Sequence, residues 1–175
     1  MKPRARLISL SRTDGMMLVE VMVVMATAAI LATLAVPSFS EFINSTRRAS
    51  ALNQLTSDLY RARNEAISRD AWILVCMRNS AGNGCGNGTN WQSGWLICQD
   101  SIPHGACDAA TPDKPNPITV RQAIDAIFTL TSSTPSIRFN PGGSQGAGGA
   151  ATLTLASGLQ FNTITIAATG HISQQ

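Results

Sequence analysis

Residues Met16 to Val36 read MMLVEVMVVMATAAILATLAV, an apolar run of 21 residues broken by one charge, Glu20. As a helix rising about 1.5 Å per residue, it matches the roughly 30 Å of a bilayer's hydrocarbon layer. No small globular core can swallow such a run, so it sets the terms for the rest of the chain. Ahead of it stand Lys2, Arg4, Arg6 and Arg12, with one acid, Asp14. Positive charge before an apolar run keeps that end on the cytoplasmic side. The formal net charge is +3, and this leader carries all of it: the nine basic and nine acidic side chains behind it cancel. The basic balance therefore reports a leader and not a nucleic-acid partner.

Three origins of the run compete. An ordinary secretory signal would be cut near Ala26-Thr27-Ala28, yet the apolar stretch continues past that point. A plain anchor leaves Glu20 unexplained, because an ionisable group inside a membrane is costly and marks function. The third origin uses Gly15, directly before the run, and Glu20, fifth after that glycine.

Past Pro37 the period remains helical. Phe39, Phe42, Ile43, Ala49, Leu52, Leu55, Leu59, Ala62 and Ala66 recur at steps of three and four, with gaps, which predicts one apolar stripe. The opposite positions hold Arg47, Arg48, Asn53, Asp58, Arg61, Glu65 and Arg69. Interleaved acids make this a solvated or subunit-facing surface before an anion site. Pro37 removes a backbone donor and is expected to kink the helix.

From Ala71 the period changes. Strands are expected at 72–77, 91–99, 118–121, 127–130, 136–140, 152–156 and 163–167, with Gly, Asn, Pro and Ser between them. The architecture that follows is α+β: a long N-terminal helix packed on an antiparallel β-sheet head. Residues 141–149, PGGSQGAGG, read as a hairpin tip or flexible connection. No Lys-Ser/Thr follows these glycines, so they form no phosphate loop.

Four cysteines, Cys76, Cys85, Cys98 and Cys107, allow three pairings in a translocated domain. Cys76–Cys85 and Cys98–Cys107 are favoured, since each closes a short polar loop between strands. Zinc is the rival. No CxxC pair exists, and His104 and His171 are isolated, so neither a metal nor a cofactor is expected. The sequence holds no paired carboxylates placed for acid–base work and no nucleophile elbow, so no enzyme activity is expected.

Gly15, MMLVE, the apolar run and Pro37, twenty-two residues after the glycine, together resemble the class III signal of type IV prepilins and type II secretion pseudopilins. The usual residue after the cut is Phe; here it is Met16. The resemblance implies a prepilin peptidase that cuts after Gly15 and methylates the amino group of Met16. It implies a membrane-anchored subunit whose Glu20 and Pro37 serve assembly with other pilins. Glu20 would face the Met16 amine of a neighbour, neutralising charge and setting register.

The organisation so implied is a leader at 1–15, a transmembrane helix at 16–37, an amphipathic helical half at 38–70 and a β-rich periplasmic head at 71–175. Arg61-x-x-x-Glu65-Ala66, Cys76, Cys85, Trp91-x-x-Gly94-Trp95, Asp100 and Phe139-Asn140-Pro141-Gly142-Gly143 are similar to the FimT/FimU and GspH group of minor pilins and pseudopilins. Three roles follow from that likeness: a minor pilin that initiates or caps a type IV pilus, a pseudopilin of type II secretion, or a DNA-capturing pilin. Members proposed to bind DNA end in Gly-Arg-x-Arg. Here Gly170 aligns, but His171 and Ser173 replace both arginines, leaving Arg47, Arg48, Arg61, Arg63 and His171 as the candidate DNA contacts. Each lost positive charge weakens phosphate binding.

Overall fold

The computed structural model describes residues 17–102, 105–112, 115–146 and 149–175, and its account of side chains also leaves out 34–38. One helix, α1, runs Leu18–Arg69 and continues through Pro37. Eight strands follow among the described residues: β1 Ile73–Met77, β2 Trp95–Gln99, β3 Thr119–Val120, β4 Thr129–Ser132, β5 Ser136–Phe139, β6 Ala151–Ser157, β7 Gln160–Ile166 and β8 Ile172–Gln174. The chain divides into two compact units, Met1–Ser45 and Thr46–Gln175.

The second unit is the head. Its strands make two antiparallel sheets, ordered β3-β2-β1-β5 and β4-β6-β7-β8. Leu52, Leu55, Leu59, Ala62 and Ala66 of α1 are buried and share one core with Val75, Ile97, Leu130, Leu153 and Ile164 from the strands. These helical residues sit where the three-and-four spacing puts them. Alanine at 62 and 66 keeps that face low, so the sheets approach the helix closely.

The helix stops at Asp70, which takes a left-handed backbone at φ 48°. Ala71 N–H bonds back to the Ala66 carbonyl at 3.2 Å, closing the last turn as an αL cap does. Phe39 and Phe42, placed on the same stripe by their spacing, are exposed. Asp58, assigned to the polar face, is instead 1% exposed. Strand β8 has no counterpart among the strands expected from the sequence, and β2 begins at Trp95 because 91–94 form a turn.

Leu74, Cys76, Leu96 and Cys98 point away from the main core yet are fully buried in a second, smaller cluster. The loops after β1 and after β2 cover them. Disulfides Cys76–Cys85 and Cys98–Cys107 fasten these loops, the pairing favoured by the short separations. Burial on both faces explains why β1, ILVCM, reads as a continuous apolar run.

Candidate assembly site

Glu20 stands in the first turn of α1, where the free N–H groups and the helix dipole favour a carboxylate. Around it the helix is apolar in every direction. Leu18, Val19, Met22, Val23, Val24 and Met25 are each more than half exposed, and since successive helical residues turn by about 100°, no single face accounts for them. The threonine hydroxyls nearby bond back to the helix backbone. Thr27 Oγ1 donates to the Val23 and Val24 carbonyls, and Thr33 Oγ1 to the Ile30 carbonyl. Such back-bonding satisfies hydroxyls without water or a partner. Gly15 and Met16 lie outside the described residues, and so does the side chain of Pro37. Among the described residues no helix is long and apolar enough to cross a membrane. The apolar sequence continues beyond them, at Met16 and through Leu34 to Val36.

In the head, Asp58 fastens the helix to the strands. Its Oδ2 accepts from Trp95 Nε1 at 3.0 Å and from Arg121 Nε at 2.7 Å, while Oδ1 accepts from Arg121 at 2.8 Å. Donation of its hydrogen bonds to Asp58 raises the pKa of Arg121; partial burial works against that rise and the carboxylate's charge adds to it. The sequence held a signal for this site. Asp58 is three residues after Leu55 and four before Ala62, on the grid of buried positions and off the polar face.

The candidate DNA contacts do not form one basic stripe. Arg47 pairs with Asp125 at 3.0 Å. Arg61 and Arg69 both engage Glu65. Arg63 donates to the Gly143 carbonyl at 2.9 Å. Arg48 and Arg63 are rotated by roughly 100–160° from Arg47 about the helix. Arg48 Nε is buried without a hydrogen-bond partner.

His171 is exposed and Ser173 half-exposed, with Ile172 buried between them, so both point outward at the edge of the second sheet. That sheet carries no charged residue in its four strands. Its outward face presents threonines in register, Thr131 beside Thr154 beside Thr163. Gly170, at the root of this edge, packs against the Gly143 carbonyl so closely that a Cβ there would lie 2.0 Å from the oxygen.

A family model described as the type II transport protein GspH matches residues 51–170. The chain belongs to the GspH family. The matched stretch covers the buried helical residues Leu52 to Ala66, Asp58, both disulfides and the strands through β7. Solved structures share its fold. The type IV minor pilin FimU of Pseudomonas aeruginosa (strain PAO1) superposes with a TM-score of 0.59 at 18% identity, over 77% of this chain and 92% of that one. The minor pseudopilin EpsH of the Vibrio cholerae type 2 secretion system gives 0.50 at 12% identity, over 74% and 96%. No curated protein sequence matches this chain. The α+β pilin fold expected from the sequence is the fold observed.

Proposed function

We propose that this GspH-family chain is a minor subunit of a filament built from the inner membrane. Residues 1–15 are its leader, 16–37 its membrane helix and 71–175 its periplasmic β-rich head. In this reading it is a minor pilin that helps initiate or cap a type IV pilus. The supporting observation is the first part of α1, apolar on all sides with a single carboxylate in its first turn. Water is a poor solvent for such a surface; lipid and the helices of neighbouring pilins are good ones. A carboxylate in that setting requires a positive partner or a proton, and cleavage after Gly15 by a prepilin peptidase would create the partner, the amine of Met16.

A pseudopilin role in type II secretion is the second reading, favoured by the family model's own description. Capture of DNA is the third, and the uncharged sheet beside His171 and Ser173 speaks against it.

The test compares two variants with the wild type in purified membranes and in sheared filaments. Intact mass is expected to show a chain starting at a methylated Met16, and Gly15→Ala to retain the leader. Glu20→Ala is expected to be cut and inserted normally but to be lost from filaments. Wild-type recovery of Glu20→Ala in filaments would refute the register role. A mature start after Ala28 would refute the prepilin reading. Loss of pilus assembly or of protein secretion on deletion separates the two machines.

A further inference from the structure

The two disulfides touch. Cys85 Sγ and Cys107 Sγ, one from each bond, are 3.8 Å apart, and the Cys76, Cys85 and Cys107 sulfurs all lie within 4.8 Å of one another. The four cysteines divide by position. Cys76 and Cys98 are on adjacent strands, each opposite a leucine of the other strand, and both are fully buried. Cys85 and Cys107 are on the covering loops and half-buried. The loop sulfurs hold their places by means other than the disulfides. Gly86 N–H donates to the Met77 carbonyl at 2.7 Å and Asn79 N–H to the Gly84 carbonyl at 2.9 Å, fixing Cys85 beside β1. Asp108 N–H donates to the Gln99 carbonyl at 2.9 Å, and Asn116 Nδ2 bridges the Gln99 and Asp108 carbonyls, fixing Cys107 beside β2.

We propose that the two bonds form one exchangeable unit, in which loss of either native disulfide to a dithiol reductant leads to a Cys85–Cys107 bond. The thiolate of the reductant attacks Cys107 Sγ. The Cys98–Cys107 bond breaks, and Cys98 takes the electron pair and a proton. The reductant's second thiolate resolves the mixed disulfide, so the reductant leaves oxidised and Cys107 is released as a thiolate. That thiolate attacks Cys85 Sγ, its contact neighbour. A Cys85–Cys107 bond forms, the Cys76–Cys85 bond breaks, and Cys76 takes the electron pair and a proton. The head has gained two electrons and two protons, and the reductant has lost them.

Attack on Cys85 first runs through the mirror sequence and releases Cys98 last. Both routes end in the same state: one disulfide between the loops and two thiols in the strands. Those thiols lie against Leu74 and Leu96, where a free cysteine behaves as a small apolar side chain. The partner this chemistry fits is a periplasmic dithiol oxidoreductase, for which the loop sulfurs are the accessible pair.

Two measurements test the proposal. In the first, the full chain in detergent is treated with limiting dithiothreitol, acid-quenched, alkylated and mapped as peptides. The expected result is a Cys85–Cys107 peptide as the main new linkage, with Cys76 and Cys98 as the alkylated thiols. Molecules carrying one native bond and two thiols from the other native pair, with no Cys85–Cys107 peptide, would overturn it. In the second, the double variant Cys76→Ser, Cys98→Ser is isolated from the periplasmic face under non-reducing conditions. A Cys85–Cys107 disulfide is expected; two freely alkylated thiols would overturn it. Repeating the first mapping in denaturant separates geometry from chance. The Cys85–Cys107 preference should vanish there, and its persistence would show that the fold is not its cause.

Discussion

Asp58 accepts three hydrogen bonds from two side chains that lie 37 and 63 residues along the chain. Removing it strands the Trp95 N–H and half of a guanidinium. Breaking a fully buried pair costs 3–5 kcal/mol; Arg121 is 36% exposed and water relieves part of that, so Asp58→Ala is expected to lose about 2–3 kcal/mol. Urea unfolding of the full chain in detergent, followed by tryptophan fluorescence, measures it. Because the arginine's pKa is raised, its share of the pair's contribution is present across neutral and moderately alkaline pH and is lost only as pH rises through the raised value. Two glycines give a paired test. Gly158 has φ +58° with nothing within 4 Å of an added Cβ, whereas Gly170 has φ +79° and a carbonyl oxygen 2.0 Å away. Gly158→Ala is expected to cost about 1 kcal/mol, the backbone strain alone. Gly170→Ala is expected to cost at least twice that in the same unfolding experiment. At this scale the sequence was half legible. Its charge places Asp58 on the polar face although it falls on the i, i+3, i+4 grid, its partner Arg121 stands at the end of the strand expected at 118–121, and no local pattern announces a pair so far apart.

Helix α1 is followed directly by Asp70, whose φ of 48° costs an L-residue energy that glycine avoids. A carboxylate at a helix C-terminus also opposes the dipole. Both effects have one sign, so Asp70→Gly is expected to stabilise the head by about 1 kcal/mol, seen as a higher melting temperature. The elements that declared themselves in sequence did so through repetition. Leu52, Leu55, Leu59, Ala62 and Ala66 repeat the helical period, and β6, with burial alternating along ATLTL, repeats the strand period. Phe39 and Phe42 obey the same period but lie in the other unit and are exposed; periodicity reports a face and not what meets it. Strand β8 has three residues after a tight turn, too few to show any period. Its partner is β7 and its side chains alternate with those of that strand, so it exists by pairing and not by propensity.

For the molecule as a whole, charge is the property most open to misreading. The net charge of +3 sits in residues 1–15, and the arginines of the head are occupied or dispersed over different sides of the helix. We expect the full chain in detergent to retain duplex DNA at physiological salt no more tightly than non-specific binding, roughly 10⁻⁴ M or weaker. The double variant His171→Arg, Ser173→Arg puts two outward charges on an uncharged sheet. It is expected to raise affinity and steepen the salt dependence by about two units of slope in a filter-retention titration. Salt-sensitive submicromolar binding by the unaltered chain would make DNA capture the leading function. The stripe and the disulfide loops were legible because each depends on near neighbours, whereas the division of the strands into two sheets depends on pairings such as β1 with β5, which no local signal fixes.

The breadth of the main core has a consequence in time. That core includes Leu52 and also Ile172, and Tyr60 Oη donates to the Ile172 carbonyl at 3.0 Å. A chain delivered from its N-terminus therefore presents the helical stripe early and cannot seal it until more than a hundred further residues have followed. Throughout that interval the stripe is an uncovered apolar surface, and the pace of delivery sets how long it remains so.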